Sequence, residues 1–277
     1  MSNSSALNPE KWLSDLEFAL ELANIADAHS LPRFKAADLK VSTKPDTTFV
    51  TDADTAVEAA IREHIESNRP EDGFFGEESG KFEQGNRQWI LDPIDGTSNF
   101  LRGVPNWATL IALAVDGKPV VGVVSAPAFG KRWWGAEGSG AWMSVGGTAP
   151  TRLAVSGVKN LAESSLSFQS IRQWDDAGYL NSLVELTRTV WRDRAYGDMW
   201  SYMLLAEGQV DIVAEFDVKP YDLAALIPIV TEAGGRFTDI EGNESAWNGS
   251  ALATNGALHD QVVTFVAENR RVEPGIH

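Results

Sequence analysis

Two apolar runs, Trp107 to Val115 and Pro119 to Ser125, meet at Asp116-Gly117. An Asp-Gly pair between apolar runs is a strong signal for a two-residue hairpin turn, so an antiparallel pair is predicted here. Segments 131–135 and 141–145 extend the meander around Gly138-Ser139-Gly140, and shorter apolar strands are expected at 73–76 and 88–91. Upstream the period changes. Trp12, Leu13, Leu16, Leu20 and Ala23 share a helical face, predicting a helix from about Pro9 to His29 with Asn8 as N-cap. A polar hinge, Lys40 to Asp46, follows. Ala56, Val57, Ala60, Ile61 and Ile65 then mark a second helix, which Asp52 or Asp54 can cap and which ends at Arg69-Pro70-Glu71-Asp72-Gly73.

From about Thr151 strand and helix alternate. Strands are expected at 164–170, 190–193, 210–214, 236–238 and 251–254, and helices at 176–189, 199–207 and 221–233. Gly234-Gly235 closes the last helix. The expected fold class is α/β (α+β), with two packed sub-domains, 1–150 and 151–277, and no flexible linker.

Charge narrows the function classes. The chain of 277 residues has 23 Lys+Arg against 39 Asp+Glu, a net charge of −16. That balance argues against general binding of nucleic acid or anionic membranes and suits divalent metals or an ammonium-bearing substrate. With no cysteine there is no disulfide, thiolate metal site or Cys nucleophile. No stretch approaches the roughly 18 apolar residues of a membrane span, and the polar segment Met1 to Glu10 lacks the apolar core of a signal peptide. A soluble, cytoplasmic protein is expected. Neither a Gly-x-Ser-x-Gly elbow nor a Gly-x-x-x-x-Gly-Lys-Ser/Thr loop occurs. His29, His64, His259 and His277 show no ligand spacing. Asp52-Ala53-Asp54-Thr55 superficially matches an aspartyl-nucleophile motif, but Ala56 stands where that motif has Thr or Val.

The informative residues are acids at element ends. Asp92-Pro93-Ile94-Asp95-Gly96-Thr97-Ser98 follows an apolar strand, and a proline bend lets two carboxylates enter one crevice. Hard cations such as Mg2+ prefer oxygen ligands. Backbone N–H groups of Gly96, Thr97 and Ser98 at a helix start offer a seat for phosphate. Metal ligands beside a phosphate seat point to metal-assisted phosphoryl hydrolysis. Taken singly, Asp222, Asp52 and Asp54 are ordinary helix-start charges, and Glu77 and Glu78 follow a short strand. Taken together, they form a set of acids whose repulsion a cation relieves.

Gly76-Glu77-Glu78-Ser79, Trp89 to Phe100, Tyr221-Asp222-Leu223-Ala224-Ala225 and Glu232-Ala233-Gly234-Gly235 resemble the signatures of the inositol monophosphatase family, in family order and over essentially the whole chain. The resemblance implies a layered αβαβα sandwich of the inositol monophosphatase / fructose-1,6-bisphosphatase type, usually a homodimer. It implies that 1–150 carries most metal and phosphate ligands, while 151–277 carries the last metal ligand and the substrate-reading residues. By position, Glu77, Asp92 and the Ile94 carbonyl are similar to ligands of a first Mg2+, and Asp92, Asp95 and Asp222 to those of a second. A third ion would lie near Glu77. Gly96, Thr97 and Ser98 would hold phosphate, and Thr97 oriented by Asp54 resembles the pair that positions the attacking water. Lys44, in the hinge, is read as a solvated surface lysine.

The same resemblance places substrate reading at 192–198 and 215–217. Tyr196, Asp198 and Met199 depart from the small, weakly polar residues of the inositol enzymes. The stretches 102–105, 124–127, 132–134 and 194–198 look most like bacterial family members acting on histidinol phosphate, an ester with an ammonium and an imidazole. Arg194, Asp198 and Glu215 join Ile94, Asp95, Gly96, Thr97, Ser98 and Asp222 as expected substrate contacts. Trp107 and Trp133-Trp134 are read as an aromatic wall for that substrate or as core. The alternatives are an inositol-1-phosphate phosphatase of broader specificity and a binding partner of the transcription machinery.

Overall fold

The computed structural model describes residues 10–45 and 48–270. The expected Asn8 cap, Pro9, Asp46 at the hinge end and His277 lie outside them. Helix α1 (Leu13–Ser30) is followed by a small antiparallel pair, β1 (Val41–Thr43), inside the segment expected to be only a hinge, and β2 (Phe49–Thr51), just beyond it. Next come α2 (Asp52–Asn68), β3 (Gly73–Gly76), β4 (Gly80–Phe82), β5 (Arg87–Asp95) and the short α3 (Thr97–Leu101). The predicted hairpin is β6 (Ala108–Val115) and β7 (Lys118–Ala126), with Asp116 and Gly117 both at positive φ, 52° and 78°. Both turn residues at positive φ match the right-handed twist of the flanking strands. Strands β8 (Lys131–Ala136), β9 (Gly140–Val145) and β10 (Thr151–Arg152) complete an eight-stranded sheet of order β10-β9-β8-β7-β6-β5-β3-β4.

A second sheet uses β11 (Ser165–Phe168), β12 (Arg192–Arg194), β13 (Ile212–Phe216), β14 (Arg236–Thr238) and β15 (Ser250–Thr254), in the order β12-β11-β13-β15-β14. Between its strands run α4 (Ile171–Asp176), α5 (Leu180–Thr189), α6 (Asp198–Ala206), α7 (Pro220–Leu223) and α8 (Leu226–Glu232); α9 (His259–Glu268) follows. The helix expected at 176–189 is α5, which begins only at Leu180, after Gly178 in a left-handed conformation at φ 77°; α4, which ends at Asp176, was not expected. The helix expected at 221–233 is split into α7 and α8.

Side-chain alternation builds the layers, because successive strand residues face opposite sides. Trp89, Leu91, Ile111, Leu113, Val121 and Val123 pack with α1 and α2. Ile90, Leu110, Ala112, Val124 and Trp133 face the other way, against Met199, Tyr202 and Met203 of α6 and Leu226, Ile229 and Val230 of α8. That middle layer also packs on Val213, Phe237 and Ala253 of the second sheet. The outer face of the second sheet, Leu166, Ile212, Ala214 and Leu252, is covered by Trp174, Leu183, Leu186, Val262 and Val266 from α4, α5 and α9. The order is helices, sheet, helices, sheet, helices. Trp107 and Trp133 are fully buried, so they serve as core and not as a substrate wall.

Candidate active site

The site forms where the ends of both sheets meet. β5 pairs regularly with β6 up to Asp92↔Leu110, then slips before Asp95↔Ala108. Strict alternation would send Asp92 and Asp95, three residues apart, to opposite faces. The irregularity at Pro93 and Ile94 reverses that parity. The Pro93 carbonyl freed from the ladder accepts a bond from the Thr109 hydroxyl at 2.8 Å. Asp222 arrives from α7, where its Oδ2 accepts the Lys219 N–H at 2.6 Å. One carboxylate oxygen each from Asp92, Asp95 and Asp222 lies within 4.8 Å of the other two.

These acids sit badly together as anions. Burial pushes the Asp92 carboxyl well above the usual range, with repulsion from Glu77, Asp95 and Asp222 adding to it. Asp95 is raised in the same way, by burial and then by Asp198 and Asp222. Burial brings Asp222 up to about 7. A hard divalent cation fits such a set: the donors are all oxygen, and its charge offsets the repulsion.

Around this trio the chain holds the other expected residues. Thr51 caps α2 in a reciprocal box with Asp54, whose Oδ2 accepts the Thr51 N–H at 2.9 Å and the Thr51 hydroxyl at 2.5 Å. The cap therefore belongs to Thr51, and Asp54 is left buried with Oδ1 3.3 Å from the Thr97 hydroxyl. Burial raises Asp54 to about 6. Thr97 Oγ also lies 3.0 Å from the Ile94 carbonyl, the atom expected to ligate metal, while the Ile94 side chain is core. Gly96 precedes α3 at φ 84°, and a Cβ there would come 2.9 Å from the Asn106 carbonyl. The N–H groups of Thr97 and Ser98 open the helix with no intrahelical carbonyl to bond.

Glu77 stands just outside the close trio. Its turn is fixed from beneath by Glu58, buried on α2, which accepts the N–H groups of Glu78 at 2.9 Å and Ser79 at 2.6 Å. A Cβ on Gly76 would fall 2.4 Å from the Glu58 carboxyl carbon, so this contact requires glycine. Lys44 is not a solvated surface residue. Its ammonium lies 2.8 Å from Glu77 and 2.7 Å from Glu78, with 17% of its side chain exposed. Two carboxylates hold it there, a pairing across 33 residues that local sequence does not display.

Beyond the trio lies a cavity of about 170 Å3, bordered by Asp95, Asp222, Asp198, Glu215, Tyr202 and Gln173 among others. Asp198 begins α6 at φ 49°. Asn99 donates to its Oδ2 at 2.8 Å and Gln169 to its Oδ1 at 3.2 Å, while its own N–H bonds the Gln169 oxygen at 3.0 Å. The next N–H, of Met199, bonds Asp95 Oδ2 at 2.7 Å, tying the two acids to one turn. Glu215 is buried, accepts the Tyr202 hydroxyl at 2.5 Å, and is raised by burial to about 8. Arg194 does not join them: it is exposed on β12 and donates to the neighbouring Asp193 carbonyl. A larger cavity, about 640 Å3, lies elsewhere around Trp247, Ile227 and Arg236 and borders none of these carboxylates.

Sequence reasoning missed Glu58, Asn99, Gln169 and Tyr202. Only Glu58 left a signal. With Asp54 it puts two acids at i and i+4 on the face of α2 that buries Val57 and Ile61.

Comparison with known proteins matches residues 12–271 to the inositol monophosphatase family. A histidinol-phosphatase of Mycobacterium tuberculosis is 56% identical over 90% of this chain and 96% of that protein. A histidinol-phosphatase of Streptomyces coelicolor is 50% identical over 92% of this chain and 97% of its own. Among solved structures, an IMPase of Thermotoga maritima superposes with a TM-score of 0.81 at 32% identity, covering 92% of this chain and 98% of the other. Among the described residues no helix is long and apolar enough to cross a membrane.

Proposed function

The chain belongs to the inositol monophosphatase family, and on that premise we propose that it is a Mg2+-dependent phosphomonoesterase hydrolysing L-histidinol phosphate to L-histidinol and phosphate, as a cytoplasmic homodimer. The observation that carries the reading is the convergence of Asp92, Asp95 and Asp222 beside a small cavity edged by Asp198 and Glu215. Asp92, Asp95, Asp222, Glu77 and the Ile94 carbonyl would hold two Mg2+, with a third near Glu77. When bound, Mg2+ supplies Lewis-acid polarisation of the phosphate, acidifies a water and neutralises the leaving oxygen.

The protein's own part is orientation and proton handling. The first N–H groups of α3, after Gly96, face the phosphate, whose negative charge suits a helix start. Thr97 Oγ, held between Asp54 Oδ1 and the Ile94 carbonyl, orients the attacking water and passes its proton toward Asp54. Burial raises Asp54 to about 6, which makes its carboxylate a better proton acceptor than an ordinary Asp. Glu77, steadied through the Glu58-held turn, completes the catalytic set. No nucleophilic side chain is required.

Asp198 and Glu215 favour a cationic leaving group over inositol. Among the described residues neither acid is matched by a Lys or Arg within hydrogen-bonding distance; their partners are the side-chain amides of Asn99 and Gln169 and the Tyr202 phenol. An ammonium placed beside Asp198 gains a charge-assisted bond that a neutral alcohol cannot make. Asp198→Asn is therefore expected to lower kcat/KM for L-histidinol phosphate about 10- to 100-fold, and for glycerol 2-phosphate much less. Steady-state assays of both esters on both proteins decide it. Equal losses would remove the ammonium from the account.

A further inference from the structure

We propose that Glu58 is a positioning residue that sets the affinity for the Mg2+ at Glu77, an inference that rests on the Mg2+ reading above. Glu77 is the first residue after β3, and its carboxylate stands just outside the trio. A small shift of its turn therefore decides whether it shares a cation with Asp92. Two anchors set that turn. On one side the Glu77 N–H bonds the Leu91 carbonyl at 3.1 Å, on β5, where the next residue is Asp92. On the other, Glu58 Oε2 accepts the Glu78 N–H at 2.9 Å and Oε1 the Ser79 N–H at 2.6 Å. The second anchor uses a whole buried charge: Glu58 is 3% exposed, and no Lys or Arg among the described residues pairs with it. Burying a carboxylate without a counter-charge is costly. What it adds over a neutral acceptor is two charge-assisted bonds at a fixed spacing.

Asp54 lies one turn before Glu58 on the same helix. One turn of α2 thus carries the proton acceptor, and the next holds the turn that presents Glu77. The helix between them fixes the spacing of base and ion. Gly76 belongs to the same contact. A Cβ there would fall 2.4 Å from the Glu58 carboxyl carbon and 2.5 and 2.6 Å from its two oxygens. Gly76 is not at positive φ, so closeness to Glu58, and not backbone freedom, is what requires glycine. Groups that orient a metal ligand without touching the metal typically change metal affinity about 10- to 100-fold when removed.

The test is calorimetric titration of the metal-free protein with Mg2+, with thermal melts in EDTA alongside. Glu58→Gln keeps the shape but turns an N–H2 toward a backbone N–H. It is expected to weaken Mg2+ binding at one site about 10- to 100-fold and to leave the second site near wild type. Gly76→Ala keeps Glu58 but displaces its carboxylate, and should weaken the same site. The double variant Glu58→Ala/Gly76→Ala places a methyl group in the space the carboxylate leaves and restores none of its bonds. A positioning role keeps its Mg2+ affinity low even where Tm recovers; a packing role restores both. Should Glu58→Gln fail to fold, the double variant gives the same decision. Wild-type Mg2+ affinity in Glu58→Gln or in the double variant, or equal weakening of both sites, overturns the assignment of Glu58 and leaves the Mg2+ reading intact. A wild-type protein that takes up no Mg2+ overturns both at once.

Discussion

Asp92→Asn is expected to abolish Mg2+-dependent phosphate release while leaving the wild-type far-ultraviolet circular dichroism in place. Asp92 is the member of the trio that the family resemblance assigns to both metals, and it is 2% exposed at the end of β5. Its replacement keeps the shape and the Oδ1 that accepts the Ile94 N–H at 2.9 Å, so the bulge survives. What goes is a negative charge at the centre of the proposed cation site. Losing a partner outside the ligand shell already costs about 10- to 100-fold, and losing a shared ligand should cost more than about 10³-fold in kcat/KM. Wild-type turnover in this variant would refute the metal assignment.

The same substitution should not destabilise the metal-free fold. The trio's carboxyls titrate above their unfolded values, Asp222 moving from 3.8 to about 7 through burial. For an acid whose folded pKa is raised, the native state binds more protons than the unfolded state. Its contribution is present in full below the unfolded value and is lost as pH rises through the folded one. In EDTA, wild-type stability is therefore expected to fall between about pH 4 and pH 7, and Asp92→Asn to flatten that fall. Thermal melts across this range read it directly; a steeper fall in the variant would contradict the repulsion argument.

Gly122→Ala is the second large effect, and it acts from the opposite side of the sheet's logic. Ala112, Gly122, Gly135 and Ala141 are cross-strand neighbours on β6 to β9, and they make a shallow groove. The α7–α8 segment lies in it so closely that a Cβ on Gly122 would stand 2.1 Å from the Ala225 carbonyl oxygen. Gly135 meets the Pro228 carbonyl at 3.0 Å in the same way. No rotamer change relieves a clash between two backbones, so the cost belongs at the upper end of overpacking, about 3 kcal/mol. For a chain of this size that lowers Tm by roughly 6–12 °C. Activity should fall as well, because Asp222 sits three residues before Ala225 and small displacements at a reacting centre are expensive. Gly157→Ala is the control, since a Cβ there meets nothing within 4 Å, and its Tm should stay near wild type. Equal melting of the two variants would show that the helix is not seated as described.

Much of this was legible in the chain because it is local. Asp92-Pro93-Ile94-Asp95-Gly96-Thr97-Ser98 carries the strand end, the bend and the helix start in seven consecutive letters, and the Asp116-Gly117 turn sets the closing Val115↔Lys118 pair of its hairpin. The layer order follows from period-two strands with helices before and between them. What escaped is of two kinds. Some elements lack a propensity signal: α9 contains Val262-Val263-Thr264-Phe265-Val266, a run that local preference assigns to a strand. β1 and β2 are short and mostly exposed, so no apolar alternation marks them. Other residues act only through distant partners. Lys44 needs Glu77 and Glu78, and Gln169 needs Asp198. Arg194 shows the converse, a local pattern that suggested a substrate contact which the fold leaves on an exposed edge.

The central claim is tested most directly by supplying L-histidinol phosphate and myo-inositol 1-phosphate together, at equal concentration, and following release of both alcohols with Mg2+ and with EDTA. The expected result is selective, Mg2+-dependent consumption of L-histidinol phosphate, silenced by EDTA and restored by excess Mg2+. Preferential consumption of inositol phosphate, or release that continues undiminished in EDTA, would contradict it.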